Sequence, residues 1–162
     1  GIVDGVNENV QDPSKLVWLE YAGTDNTSEA MTTMESVLQA HPETRIVLCA
    51  QDSAAVGAYQ AVISSSLPQD EFFVAGCDGI SEALGYIQEG TPYRLTIANA
   101  KPTSQMGYEL VQNLSMAIAG LDYESPYYAA VAAVNADNVD EYLSQAPIYT
   151  LNPELASYLG IE

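Results

Sequence analysis

The chain has 162 residues, with four Lys plus Arg against 22 Asp plus Glu, a formal net charge of -18, 48% hydrophobic and 16% charged residues. That length suits one domain, or one and a part, with enough apolar content for a core, and the acids are dispersed among apolar runs rather than blocked into a disordered tail. The balance excludes nucleic acid and anionic membrane surfaces, which need a basic face, and disfavours phosphorylated ligands.

Gly1-Ile2-Val3-Asp4 reads like the middle of a helix, with Ile2, Val3, Val6 and Val10 near helical spacing. No basic n-region with a following apolar stretch opens the chain. A fragment is expected, its true N-terminus and any export signal lying upstream. Leu16-Val17-Trp18-Leu19 reads as a first strand, ending in Glu20-Tyr21-Ala22 and bounded by Pro13 and by Gly23-Thr24-Asp25-Asn26. Asn26 with Glu29 three residues on has capping-box spacing and opens a helix through Met31, Met34, Val37 and Leu38. His41-Pro42 stops it, with His41 a surface C-cap. Ile46-Val47-Leu48-Cys49 is a second strand, and Asp52-Ser53 an N-cap. The helix that follows would bury Ala54, Ala55, Val56, Ala58, Tyr59, Val62 and Ile63.

Phe72 to Ala75 is a third strand, Ser81 to Gln88 a short helix closed by Gly90, and Leu95 to Ala98 a fourth strand. Met106, Leu110, Val111, Leu114 and Ile118 mark a long helix closed by Gly120. Tyr127 to Val134 is a small-residue apolar segment, Asn138 opens a short helix, and Pro153 begins a last one ending near Leu159. Strand alternating with helix, the strands continuously apolar, means an α/β fold: a parallel, flavodoxin-like sheet covered on both faces.

In such sheets ligands bind beyond the carboxyl ends of the strands. The residues there are Asp25, Gln51 with Asp52, Asp78 with Gly79, and Asn99 with Lys101. Carboxylates accept two hydroxyl protons and amides both donate and accept, so this rim suits a polyhydroxylated ligand. Equally, Asp52 is an ordinary N-cap and Asp78-Gly79 an ordinary turn. Sequence signatures of nucleophile elbows, Walker loops, dinucleotide folds and zinc hydrolases are missing, so no catalytic residue, metal site or cofactor is expected. Cys49 and Cys77 lack metal spacing and read as two buried thiols, a bridge between them being the alternative. Tyr59, Tyr86 and Tyr108 fall on helices as partly buried packing. One rival is a phosphoacceptor receiver module with Asp52 or Asp78 as acceptor, Lys101 nearby and a magnesium ion held by acids. Against it, the first strand lacks an adjacent acid pair at its end.

Three stretches also resemble a known family. They are Leu38-Gln39-Ala40-His41-Pro42 running through Ile46–Asp52 to Ala55-Val56-Gly57-Ala58; Val74-Ala75-Gly76-Cys77-Asp78-Gly79 with Ala83, Ile87 and Gly90; and Thr96-Ile97-Ala98-Asn99 with Pro102 and Gly107. In order and spacing, over about residues 24–120, they resemble type I periplasmic sugar-binding proteins, the ribose-binding group. The resemblance implies the C-terminal lobe of a two-lobed receptor: residues 1–103 in that lobe, 104–134 packing on an N-terminal lobe, 135–162 returning. It implies that Asp78 accepts sugar hydroxyls, that Gln51 stands where the family usually has a ligand-binding Asn, and that Asn99 or Lys101 takes the hinge position reaching the sugar. Asp25 falls where the family often presents an aromatic ring. The implied protein is exported, periplasmic or a cell-surface lipoprotein, and delivers a carbohydrate to the permease of an ABC importer without covalent chemistry. The same fold serves effector domains of LacI-type repressors and sugar sensor domains, and Gly79 favours the transport branch. The apolar side of residues 105–119, without its lobe, would drive dimerisation or segment exchange.

Overall fold

The computed structural model describes residues 2–19 and 23–161. Helix α1 spans Ile2–Asn9. Helix α2, Thr27–Ala40, starts where expected, because the Asn26 side chain accepts from the Ser28 and Glu29 amides at 2.9 and 3.1 Å. The return half of the capping box runs through Thr24 instead: its hydroxyl donates to Glu29 and accepts from the Asn26 amide. Strand β1 is Ile46–Leu48, followed by α3, Asp52–Ser64. Strand β2 is Phe73–Asp78, α4 is Ser81–Gln88, β3 is Tyr93–Asn99 and α5 is Thr103–Ala119. Gly120 closes α5 at φ 70, the left-handed conformation a C-terminal cap favours. Strand β4, Val131–Asn135, and helices α6, Val139–Ser144, and α7, Pro153–Leu159, complete the chain.

The four strands lie in the order β1-β2-β3-β4. The first three run parallel. Strand β4 is antiparallel, Val131 standing opposite Asn99 and Asn135 opposite Leu95. The chain comes back from α5 through residues 121–130 to the carboxyl end of β3, so its next strand must run the other way. The core lies between the sheet and α3 and α4, and it centres on Val56, Val62, Phe72, Val74, Ile87 and Tyr93. Helix α2 packs on α3 across Gly57, where an added Cβ would run into the Thr27 carbonyl and come within 2.9 Å of Ala30 Cβ. Tyr59 packs against Tyr86 at 4.4 Å between ring centroids, the rings tilted by 43°, and meets Tyr93 edge-on at 6.2 Å. Tyr108 packs against Tyr149 at 5.2 Å.

Several expectations need correction. Leu16–Leu19 forms no strand, and Val17 is 86% exposed. Four apolar residues gain nothing as a strand without a ladder partner, and none of the pairings involves them. The expected end of that strand, Glu20 to Ala22, lies outside the described residues. Ile63 faces solvent while Ala61 and Gly57 are buried, so the inner face of α3 is rotated slightly from the one expected. Ile46, Phe73 and Val131, on the sheet face opposite Val74 and Val134, remain well exposed, so this face is less completely covered than its apolar strands suggested. Cys49 and Cys77 are free thiols, both only half-buried. Burial pushes the Cys49 thiol up to about 11, with Asp52 adding to the rise.

Candidate binding site at the strand ends

Because β1, β2 and β3 are parallel neighbours, their carboxyl ends share one edge of the sheet. Adjacent strands there are roughly 4.8 Å apart. Gln51 follows β1 and precedes α3, exposed, with no side-chain bond to the helix it opens. Asp78 ends β2, also exposed, and its Oδ2 accepts from the Asp52 amide at 3.3 Å. That bond ties the α3 start to the end of β2, bringing Gln51 and Asp78 together. Asn99 ends β3, half-buried, one residue beyond Ala98, the register partner of Asp78. Among the described residues, neither the Gln51 nor the Asn99 side chain has a hydrogen-bond partner. Thr27 Oγ1 donates to the Ser53 carbonyl at 3.0 Å, so Asp25, exposed two residues earlier, stands beside the same helix start. The same edge thus carries one carboxylate, Asp78, and two free amides, Gln51 and Asn99, with Asn99 on the sheet face opposite to that of Ala98 and Asp25 placed only by its nearness in sequence to Thr27. Such a set exchanges hydrogen bonds with hydroxyls in both directions.

Lys101 does not point into this set. Its Nζ donates to both oxygens of Glu109 on α5, at 2.8 and 2.9 Å. Gln105 Nε2 and the Tyr127 hydroxyl donate to the same carboxylate at 2.9 and 2.8 Å. The Lys101 ammonium, then the Gln105 and Tyr127 bonds, hold the Glu109 carboxyl down at about 2. The Gln105 carbonyl in turn accepts from the Ile148 amide. A cavity of about 800 Å³ lies beside this cluster, lined among others by Glu109, Gln112, Met116, Tyr123 and Tyr127. Asp25, Gln51, Asp78 and Asn99 are not part of its wall.

Asp52 is neither the N-cap nor the phosphoacceptor that its place at a helix start suggests. The helix begins at Asp52 itself, its cap position being Gln51. The Asp52 side chain is fully buried. Its Oδ2 accepts from the Gly79 and Ile80 amides at 2.7 and 2.9 Å, and its Oδ1 from the Tyr93 and Thr96 hydroxyls at 2.7 and 2.8 Å. With both oxygens engaged and water excluded, no lone pair is left to attack a phosphorus centre. Burial and the Asp52 bond push the Tyr93 phenol far up, so it remains a donor across the accessible pH range. Among the described residues no group of three or more His, Cys, Asp or Glu side chains is placed to hold a metal ion. This network is not legible in the sequence because its members come from α3, the turn after β2 and β3. The nearest clue was Gly76, whose lack of a side chain makes room for it.

Comparison with known proteins gives the site its context. Residues 2–122 match the periplasmic binding protein domain family. Over 81 residues, half of this chain, the sequence is 31% identical to the ribose import binding protein of Bacillus subtilis, covering 26% of that protein. A solute binding protein of an ABC transporter from Bacillus halodurans, solved with bound myo-inositol, is 29% identical with a TM-score of 0.66, over 78% of this chain and 42% of that one. One from Mycobacterium smegmatis, solved with bound glycerol, is 25% identical with a TM-score of 0.72, over 91% of this chain and 50% of that one. The chain therefore spans half or less of the length of these relatives. Its mostly parallel sheet and the match of the family model over three quarters of its length place it: this chain belongs to the periplasmic binding protein domain family.

Proposed function

We propose that this chain is the C-terminal lobe of an exported receptor that binds a carbohydrate or cyclic polyol and presents it to the permease of an ABC importer, without making or breaking bonds. The observation that carries the reading is the placement of Asp78, Gln51 and Asn99 at one sheet edge, with both amides free. Relatives solved with myo-inositol or named for ribose import supply the ligand class. Asp78 accepts ring hydroxyls, Gln51 and Asn99 donate and accept, and Asp25 flanks the opening. Lys101 acts one step back, fixing the start of α5 through Glu109.

In this reading residues 1–103 and 135–162 belong to the lobe, while 104–134 reach toward a second lobe and return, their last residues entering the sheet as β4. Support comes from α5, which leaves Leu110, Val111, Leu114 and Ile118 between 56% and 80% exposed. An apolar stripe of that kind on one helix marks a buried partner surface. Closing two lobes around ligand converts binding energy into a shape a permease can read. On the chain alone, the same stripe is open to a second copy.

Amide-resolved NMR titration of this chain with D-ribose and with myo-inositol tests the proposal. Shift changes should centre on Gln51, Asp78, Gly79 and Asn99, and Asp78→Ala should weaken the response at least tenfold. Perturbations confined to the 122–130 cavity, or a response that Asp78→Ala leaves unchanged, would overturn it.

A further inference from the structure

Asp78 is the one non-glycine residue with positive φ among the described residues, at 126. An L residue reaches that region at a cost of about 1–3 kcal/mol and stays only where its surroundings hold it. It is followed by Gly79 at φ 74, so the chain makes two successive left-handed steps as it leaves β2. The grip on this bend centres on one carboxylate. Asp52 Oδ2 takes the amides of Gly79 and Ile80, the two residues that follow Asp78, and the Asp52 amide returns a bond to Asp78 Oδ2. The Asp52 carboxylate is in turn held from below by the Tyr93 and Thr96 hydroxyls, and Thr96 Oγ1 also accepts from the Gly79 amide at 3.2 Å.

Two glycines have their explanation here. A Cβ at Gly76 would strike the Asp52 carboxylate and the Tyr93 hydroxyl, and one at Gly79 would strike Ala98. The sequence from Gly76 to Gly79 is thus shaped around a buried group from another element. A buried carboxylate without a cation has its position dictated by its donors, since losing one leaves an unsatisfied acceptor. Asp52, Tyr93 and Thr96 therefore form a rigid post to which the Asp78 bend is fastened.

We propose that Asp52, braced by Tyr93 and Thr96, is a positioning residue that holds Asp78 in its strained conformation so that the carboxylate points off the sheet edge toward ligand. The ligand half of this statement rests on the polyol-binding reading above. The positioning half does not.

The test is Asp52→Asn in this chain, with folding checked by circular dichroism. The variant keeps the shape but puts a neutral amide in place of a carboxylate, so the charge-assisted grip on the Gly79 and Ile80 amides is lost and the Tyr93 and Thr96 hydroxyls must turn to accept from Nδ2. Asp78 should leave positive φ for extended backbone, read as a rise in its three-bond amide-to-Hα coupling, and affinity for ribose or myo-inositol should fall at least tenfold. A purely structural role would lower the melting temperature while leaving the Asp78 coupling unchanged, and that result overturns the proposal. Should Asp52→Asn fail to fold, Tyr93→Phe removes one donor and keeps the ring. It should move the Asp78 coupling in the same direction by a smaller amount, and no movement there also overturns the proposal. If the coupling moves but the response to either polyol is the same in Asp78→Ala as in the unaltered chain, the positioning stands and the ligand reading falls. If it binds and neither coupling nor affinity responds to the variant, the ligand reading stands and the positioning falls.

Discussion

At the scale of single residues, the densest concentration of constraint is the space beside Gly76. A glycine inside a strand is usually a weak point, and replacing it with Ala would ordinarily gain about 0.5–1 kcal/mol. Here the new methyl would meet Asp52 Oδ1 and the Tyr93 hydroxyl, with Ala55 Cβ at 3.0 Å. Overpacking of that kind costs about 1–3 kcal/mol, and a displaced buried carboxylate leaves donors unsatisfied for about 1–3 more. Gly76→Ala should therefore destabilise the fold by about 2–4 kcal/mol net. Urea unfolding measures this as a lowered midpoint with an unchanged slope. A midpoint equal to or above that of the parent would mean that the network has room to spare. Asp52 also illustrates the reach of sequence reading. An Asp at a helix start is legible as a cap, but its real partners stand 27 to 44 residues away, and only the packed sheet brings them together.

Elements were legible where chemistry punctuates the chain. Asn26 at the start of α2, Gly120 after α5, and Asn152 with Pro153 at the start of α7 fix boundaries through hydrogen bonds a few residues long. Strand β4 was only an apolar segment in the sequence, since Val131-Ala132-Ala133-Val134 is too small and too uniform to show which side faces the core. Its role depends on the edge of β3, which lies far off in sequence. Of the rim, the positions of Gln51, Asp78 and Asn99 followed from the strand-end rule, while Lys101 did not, because its partner Glu109 sits on the next helix. That pairing links the start of α5 to Tyr127 in the segment leading into β4, and it carries a pH signature. The folded Glu109 carboxyl keeps its charge down to about 2, whereas its ordinary value is 4.5. Between those values the unfolded chain binds more protons than the folded one, so stability must fall as pH falls. The contribution is complete above about 4.5 and is lost as pH drops through about 2. Carboxyl-carbon NMR should place the Glu109 midpoint well below that of the exposed glutamates. Lys101→Met, which removes the largest cause, should raise it. A Glu109 midpoint in the ordinary range for the unaltered chain would show that the Lys101 and Tyr127 bonds do not persist in solution.

For the molecule as a whole, charge and apolar surface oppose one another. At -18 the chain repels a second copy of itself, and at low ionic strength that repulsion acts over tens of ångströms. Helix α5 meanwhile presents Leu110, Val111, Leu114 and Ile118 in a stripe with no covering element among the described residues. Raising salt to about 0.5 M shortens the screening length to a few ångströms and slightly strengthens apolar burial, so it should tip the balance toward association. Light scattering should record a rising mass with salt and concentration for the unaltered chain. The double substitution Leu110→Glu with Leu114→Glu should stay at monomer mass throughout. Its melting temperature should barely change, because both side chains are already more than half exposed and surface changes of this kind cost within about 0.5 kcal/mol each. The salt dependence separates this face from a general tendency to aggregate, since unfolding-driven association would rise with temperature rather than with screening. A monomeric mass at every salt and concentration would mean that the stripe is too small to hold two copies.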